Sequence, residues 1–267
     1  MDPDTVSENT DLNSENNLDA PYIVGLSIIG TSHEKNELPC QDANKFKILE
    51  SGISIIAVSD GLGSAAHSEI GATVAVDSVI NFIMNYLDEN KFSVDDSSVL
   101  LKSAFEFARN ALKMKANSDQ QPIQGYACTL IVVLIIEKTA IVAQIGDGAV
   151  IAKTQNDYKA VSVPEEQEYV NEVTPLTSSS WEGSLKASPL FSDIETLVAF
   201  TDGCQRAILI KNRSIMEANS PFLEAFFSYL NTLSTRSEKE QFLKDIIESK
   251  KFSDISDDDK TLVVAVL

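Results

Sequence analysis

The chain has 267 residues, of which 43% are apolar, and this is enough for one large folded domain with a substantial core. Its 40 acidic and 21 basic residues give a formal net charge of -19, which argues against general binding to nucleic acids or anionic membranes and favours a cation or a basic partner. The cysteines Cys40, Cys128 and Cys204 are far apart, so they predict neither a disulfide framework nor a structural zinc site and fit a reducing cytosol.

Residues 1–20 are predicted to form a disordered acidic leader, because they carry six acidic side chains, no basic one and little that could be buried. The folded domain is expected to span residues 21–267. No basic segment followed by an apolar stretch opens the chain, and its longest apolar run, YACTLIVVLII, is about half of the roughly 20 residues that a membrane-spanning helix needs. We therefore expect a soluble, cytoplasmic protein.

The domain opens with short segments that are rich in β-branched and aromatic residues, which is typical of antiparallel strands. These segments are YIVGLSIIG, ANKFKILE and GISIIAV. Two amphipathic helices follow, at about 65–87 and 97–115, because apolar residues recur there at helical spacing. Each helix has one apolar stripe that can pack on a sheet.

The second half of the chain returns to strands. YACTLIVVLII, TAIVAQIG, AVIAKT and YKAVSV are joined by short connections, which favour hairpins. Residues 162–192 lack periodicity and predict a surface insertion. DIETLVAFT predicts a further strand, 217–230 and 236–249 predict helices, and TLVVAVL predicts a buried closing strand. This order predicts an α+β fold in which two sheets pack face to face between helical layers.

Carboxylates occur where predicted strands with an apolar, core-like sequence end or begin. Asp60, Asp147 and Asp202 each follow such a strand and precede a glycine, and the triplet 257–259 immediately precedes the closing strand. A single Asp-Gly pair indicates only a tight turn. If these strand ends meet at one rim of the sheets, however, the clustered negative charges would be unfavourable unless a cation neutralised them.

The chemistry of such a cluster follows from its ligand atoms. Oxygen ligands without histidine or cysteine select hard cations such as Mg²⁺ or Mn²⁺. Two such ions lower the pKa of a bridging water, and the resulting hydroxide can attack phosphorus while the ions neutralise the phosphoryl oxygens. The chain has no phosphate-binding G-x-x-x-x-G-K-[ST] loop, which disfavours a nucleoside triphosphatase.

At this point the sequence resembles the PPM-type, or type 2C, metal-dependent protein serine/threonine phosphatases. The resemblance covers roughly residues 22–267, and it looks closer to a bacterial branch of the family than to eukaryotic members. Each motif alone is weak, but six of them occur in the family's order: CQDA, AVSDGLGSA, YACTLIVV, IGDGAV, FTDG and DDKTLVVAV. The resemblance implies a four-layer αββα sandwich with a binuclear Mn²⁺ or Mg²⁺ centre at one end of the sheets.

The resemblance also implies a role for each matching residue. Asp60 would bridge both ions, and the carbonyl of Gly61 would hold one of them. Asp202 and Asp258 would complete the inner shell, and Asp42 would act through bound water. These residues would together activate the attacking water.

Two further parts of the family pattern have counterparts here. Asp147 matches the aspartate of the GDS motif, which is linked to a third, weaker metal in bacterial members. The segment 154–192 would correspond to the mobile flap beside the active site.

The chain departs from the family pattern around Asp42. Many members have Glu-Asp where this chain has Gln41-Asp42, which removes a negative charge near the metals. Many have an arginine that grips the phosphate where this chain has Glu37. His33 and Lys35 are the nearest cationic candidates for phosphate binding.

A second departure concerns the proton for the leaving group. Leu62 stands where eukaryotic members have a histidine proposed as the general acid, and leucine cannot donate a proton. His67, five residues further on, is one candidate, although it can equally face solvent or cap a helix. Metal-bound water is the other.

The sequence thus favours a metal-dependent phosphatase that hydrolyses phosphoserine and phosphothreonine. The alternative is a pseudophosphatase or a metal- or phosphoprotein-binding module with little turnover, for which Gln41, Leu62 and the missing arginine argue. The retained aspartates argue for the enzyme. The expected partners are a phosphorylated protein substrate and an opposing protein kinase, with no nucleic acid and no membrane.

Overall fold

A computed structural model describes residues 21–155, 157–163, 173–213 and 215–267. The predicted leader, 1–20, lies outside the described residues. The strands are β1 (Tyr22–Ile28), β2 (Asp42–Ile48), β3 (Ser54–Asp60), β4 (Leu130–Ile136), β5 (Thr139–Ile145), β6 (Ala149–Thr154), β7 (Asp157–Ser162), β8 (Lys186–Ala187), β9 (Ile194–Phe200), β10 (Leu209–Asn212), β11 (Ile215–Ala218) and β12 (Lys260–Val266). The α-helices are α1 (Thr31–Lys35), α2 (Ser68–Glu89), α3 (Ser97–Ser118), α4 (Trp181–Ser184), α5 (Gln205–Ile208), α6 (Ser220–Leu230), α7 (Arg236–Ile247) and α8 (Lys250–Ser253).

The long strands form two antiparallel sheets. One has the order β1-β12-β9-β6-β7 and the other the order β2-β3-β4-β5-β8. The predicted α+β class with two antiparallel sheets and flanking helices is therefore confirmed. The short hairpin of β10 and β11 stands apart from both sheets and was not predicted.

The central strands are apolar throughout because both of their faces are buried. Successive side chains of a strand point to opposite faces. In β4, Leu130 and Val132 pack under α2 and α3, whereas Ile131 and Val133 pack between the two sheets. On the other side, β9 and β12 pack against α6 and α7. The core therefore consists of three apolar clusters. One lies between α2, α3 and their sheet, one lies between the two sheets, and one lies between the other sheet and α6 and α7.

The helix α2 matches a predicted helix but begins three residues later than expected. It is the one helix in the described part of the chain that is long and apolar enough, by length and composition, to cross a membrane. Its apolar stripe, which includes Val76, Val79 and Ile83, is buried against β3, β4 and α3. The packing accounts for the apolar character of this helix.

In the segment 162–192, which was predicted to be a surface insertion, most side chains of the described part are exposed or half-buried, but two large ones are buried. Leu176 and Trp181 are buried in the cluster under α2 and α3. Arg109 of α3 donates hydrogen bonds to the carbonyls of Thr177 and Ser178, at 3.4 and 3.1 Å. The aromatic ring of Trp181 thus anchors this segment to the core. The residues 164–172 of the proposed flap lie outside the described residues.

Candidate active site

The ends of several strands surround one cavity of about 330 Å³. Asp60 ends β3, Asp147 lies in the turn between β5 and β6, Asp202 follows β9, and Asp258 precedes β12. These aspartates all line the cavity. Its described lining is Ser32, His33, Gln41, Asp60, Gly61, Leu62, Gly63, Thr129, Asp147, Val173, Asp202, Asp257 and Asp258.

Asp60 is fixed by its backbone neighbours on β3 and β4. Its N–H donates to Thr129 Oγ1 at 2.9 Å, and its carbonyl accepts from the N–H of Thr129 at 2.7 Å. The next residue, Gly61, is bridged to Cys128, but the ladder bond there runs from Leu62 N–H to Ala127. No backbone N–H within the described part of the chain donates to the carbonyl of Gly61, so among these residues it is open to a ligand in the cavity.

Asp42 lies directly opposite Asp60 in the β2–β3 ladder but does not line the cavity. It is buried, and its Oδ2 accepts a hydrogen bond from Thr201 Oγ1 at 2.7 Å. Burial raises the pKa of this carboxyl, and the negative charges of Asp259 and Asp202 raise it further, although the threonine hydroxyls oppose the shift. Asp42 thus lies behind the cavity and adds to its negative charge.

The carboxylates of the cavity are only partly compensated by positive charge, which Arg206 supplies near Asp202. Burial is the largest cause that raises the pKa of Asp60, Asp147 and Asp202, and the neighbouring aspartates add to it in each case. Two buried oxygens, Asp202 Oδ1 and Gln41 Oε1, have no hydrogen-bond partner among the described residues. Such a cluster is stable in its ionised form only when positive charge enters the cavity.

The turn that carries Asp147 is held by two glutamine side chains. Gln144 Nε2 donates to the carbonyls of Gly146 and Gly148, at 3.1 and 2.6 Å, and Gln205 Nε2 donates to the carbonyl of Asp147. Every carbonyl of the Gly-Asp-Gly turn therefore accepts a bond from a side-chain amide. This fixes the turn at the edge of the cavity.

The segment 257–259 packs between two glycines. A Cβ on Gly30 would lie 2.2 Å from the carbonyl carbon of Asp258, and a Cβ on Gly203 would lie 1.9 Å from the carbonyl oxygen of Asp259. The N–H of Ser32 also donates to the carbonyl of Asp257 at 2.9 Å. Because no larger residue fits at either glycine, this close packing sets the position of Asp258 relative to α1.

Asp259 lies beside the cavity and its carboxylate is 2% exposed. It accepts hydrogen bonds from the N–H groups of Gly30 and Gln41, at 2.6 and 2.5 Å, and it contacts His33 Nδ1 at 2.8 Å. Asp259 was not among the predicted site residues. Its three donors lie more than 200 residues away along the chain, so only the fold brings them together.

The other two candidates for cationic roles lie elsewhere. Lys35 is exposed at the end of α1 and does not line the cavity. The ring of His67 packs against Tyr126, with 5.2 Å between the ring centroids, and it is likewise absent from the described lining. His67 is therefore close to Asp60 in the sequence, but it is not among the described residues that line the cavity.

A second cavity of about 680 Å³ adjoins the first and shares Asp147, Asp202 and Asp258 with it. It adds Arg206, whose Nη1 donates to the carbonyl of Ile255 at 3.2 Å. Among the described residues, no group of three or more histidine, cysteine, aspartate or glutamate side chains lies at metal-binding spacing. The carboxylates therefore surround the cavities without converging on one point.

Comparisons with solved structures show which class of proteins shares this fold. The fold is similar to that of the serine/threonine phosphatase Stp1 from Staphylococcus aureus, with a TM-score of 0.65 and 13% identity over 92% of this chain and 94% of that one. It is also similar to the Mycobacterium tuberculosis serine/threonine phosphatase PstP/Ppp, with a TM-score of 0.63 and 13% identity over 92% of this chain and 97% of that one. The fold is thus that of bacterial serine/threonine phosphatases.

The sequence comparisons define the family. Residues 29–248 match the family described as Protein phosphatase 2C. A relative named Serine/threonine-protein phosphatase 3, from Escherichia coli strain K12, is 27% identical over 253 residues, which cover 91% of this chain and 97% of the relative. The chain belongs to the protein phosphatase 2C family.

Proposed function

We propose that this protein is a metal-dependent phosphatase that hydrolyses phosphoserine and phosphothreonine in proteins. The observation that carries the proposal is the group of carboxylates at the strand ends, which line one cavity and have raised pKa values. Membership of the phosphatase family supports the reaction class. A phosphorylated protein is accordingly the expected substrate, and an opposing protein kinase is the expected functional partner.

The donor set of the cavity fits Mn²⁺ or Mg²⁺. Its carboxylates offer only oxygen atoms, and the buried Asp202 Oδ1 has no hydrogen-bond partner in the part of the chain that the structure describes. We assign the cations to Asp60, the carbonyl of Gly61, Asp202 and Asp258, with Asp147 as the residue for a further ion. Two such cations would neutralise the phosphoryl oxygens and activate the attacking water.

The chain's own residues account for the rest of the site. Asp42 is paired with Asp60 across the β2–β3 ladder and is oriented by Thr201, so any action on a ligand in the cavity would be indirect, through bound water. The two hydrogen bonds between Asp60 and Thr129, one in each direction, keep the Asp60 backbone fixed while substrate enters. Gln41, where the family pattern has glutamate, leaves the site with one negative charge fewer.

The direct test is hydrolysis of p-nitrophenyl phosphate and of a phosphoserine peptide at increasing Mn²⁺ concentration. We expect metal-dependent turnover in the wild type and a loss of at least about 10²-fold in Asp60→Asn and Asp202→Asn, because each removes a charged ligand. Asp95→Asn, at an exposed position in the turn just before α3, serves as the matched control. A folded wild-type protein that binds phosphopeptide without turnover across the whole Mn²⁺ range would contradict the proposal and favour a pseudophosphatase.

A further inference from the structure

The hydrolysis of a serine or threonine phosphate needs a proton for the leaving oxygen. An alkoxide is a much poorer leaving group than an aryl oxide, and a positioned acid accelerates such a step by about 10²–10⁴-fold. Leu62 on the cavity wall carries no such proton. His67 packs on Tyr126 and does not line the cavity. If a side chain of the protein supplies the proton, it must therefore lie on another wall.

His33 is the only basic side chain among the described residues that line the cavity. Its side chain is 14% exposed, so it is largely enclosed but still accessible from the cavity. Arg206 lines the adjoining cavity. An arginine attracts phosphate but stays protonated in proteins, so it cannot supply a proton.

The orientation of the His33 ring is set by Asp259. The Nδ1 atom lies 2.8 Å from the buried carboxylate, which also accepts the N–H groups of Gly30 and Gln41. These two backbone donors hold Asp259 in place, so the carboxylate in turn holds the ring. With Nδ1 engaged, Nε2 is the ring nitrogen that is left for a partner in the cavity.

The position of α1 is fixed independently of this contact. The N–H of Ser32 donates to the carbonyl of Asp257, and the carbonyl of His33 accepts from the N–H of Leu38 at 3.0 Å. Gly30 allows α1 to approach the segment 257–258 without a clash. His33 is thus held on the same wall as Asp257 and Asp258, on a rigid support.

We propose that His33 is the acid that protonates the leaving serine or threonine oxygen, and that Asp259 is its positioning residue. This inference rests on the proposed function. As hydroxide derived from water forms the new P–O bond, the bond from phosphorus to the substrate oxygen breaks, and the proton on Nε2 passes to that oxygen. The products are inorganic phosphate, a neutral alcohol and a neutral imidazole, which regains its proton from water.

The experiment compares two substrates that differ in their need for this proton. A phosphoserine peptide has a poor leaving group, whereas p-nitrophenyl phosphate has a good one. We measure kcat for both at saturating Mn²⁺ and take the ratio of the peptide rate to the aryl rate. His33→Gln is expected to lower this ratio by about 10²-fold. Asp259→Asn, which keeps the histidine but weakens its fixation, lowers it less.

The chain contains two histidines, so His67→Gln is the matched variant and should keep the wild-type ratio. A ratio that is unchanged in His33→Gln overturns the inference, as does an equal loss on both substrates or a lower ratio in His67→Gln. If the thermal midpoint of His33→Gln shows that this variant does not fold, the ratio of peptide rate to aryl rate in Asp259→Asn tests the inference instead. A wild type that hydrolyses neither substrate refutes the proposed function itself.

Discussion

Asp42 and Asp60 are directly paired across the β2–β3 ladder, so two acidic residues of the site face each other on neighbouring strands. Like charges in opposite positions destabilise a sheet, and burial raises the pKa of both carboxyl groups. The pairing of Asp42 with Asp60 therefore carries an electrostatic cost to the stability of the fold at the wall of the cavity. A divalent cation would relieve this cost, which links metal binding to the stability of the fold.

The first prediction concerns the pH dependence of stability without metal. In the unfolded chain Asp60 ionises near a pKa of about 3.9, and in the folded protein its pKa is raised. The favourable contribution of Asp60 to the free energy of unfolding is therefore fully present below its pKa in the unfolded chain. It is lost as the pH rises through its pKa in the folded protein. In EDTA, the free energy of unfolding of Asp60→Asn should therefore rise relative to that of the wild type as the pH increases above about 4, because the wild type loses this contribution and asparagine does not titrate.

Urea denaturation at several pH values measures this difference. Asp95→Asn is the control, because Asp95 is exposed and is not among the described residues that line either cavity. A free-energy difference between Asp60→Asn and wild type that does not change with pH would show that the Asp60 carboxylate is not destabilising in the folded state.

The second prediction concerns metal binding measured without activity. Mn²⁺ should raise the free energy of unfolding by about 2.7 kcal/mol at a hundredfold excess over its Kd, because it binds the folded state. The gain should be larger at pH 8 (roughly) than at about pH 6, since protons must leave the carboxylates first. Asp202→Asn should lose most of the gain. An equal Mn²⁺ shift in wild type and Asp202→Asn would remove Asp202 from the ligand set.

The sequence predicted the site best where it depends on local pattern. An apolar strand followed by Asp-Gly predicts a carboxylate at a strand end, and this holds for Asp60, Asp147 and Asp202 because the antiparallel sheets bring those ends to one cavity. The short α1 was missed because five residues are too few to show helical periodicity. The pair of His33 and Asp259 was missed because its two members are 226 residues apart.

The misplaced expectations have a related cause. His67 seemed close to the site because it follows Asp60 by seven residues, but the chain turns into α2 there and places the ring on Tyr126. The segment with Leu176 and Trp181 lacks periodicity, yet both side chains fill the core under α3. Irregular segments contribute single large side chains to a core, and such isolated residues leave no periodic pattern in the sequence.

The third prediction concerns the turn that carries Asp147. Gln144→Glu replaces the amide that donates to the carbonyls of Gly146 and Gly148 with a carboxylate, which only accepts. Gln144 is buried, so we expect a loss of stability of about 2–3 kcal/mol, measured by urea denaturation. The same change at the exposed Gln124 should have little effect. A wild-type midpoint in Gln144→Glu would mean that the turn does not depend on these bonds.

The last prediction concerns the packing of the segment 257–259. In Gly203→Ala the new Cβ would lie 1.9 Å from the carbonyl oxygen of Asp259, so the segment must move. We expect a destabilisation of about 1–3 kcal/mol together with weaker Mn²⁺ binding, because the movement displaces Asp258. Gly183→Ala is the matched control, since a Cβ there has no neighbour within 4 Å.

Thermal denaturation with and without Mn²⁺ separates the two effects of Gly203→Ala. A lower thermal midpoint with an unchanged Mn²⁺ shift would mean that the glycine serves the fold alone, and that the position of Asp258 does not govern metal binding. A smaller Mn²⁺ shift in Gly203→Ala than in Gly183→Ala is the result that the packing predicts. The backbone fit at Gly203 then controls the site through Asp258, although the glycine itself has no side chain that could act there.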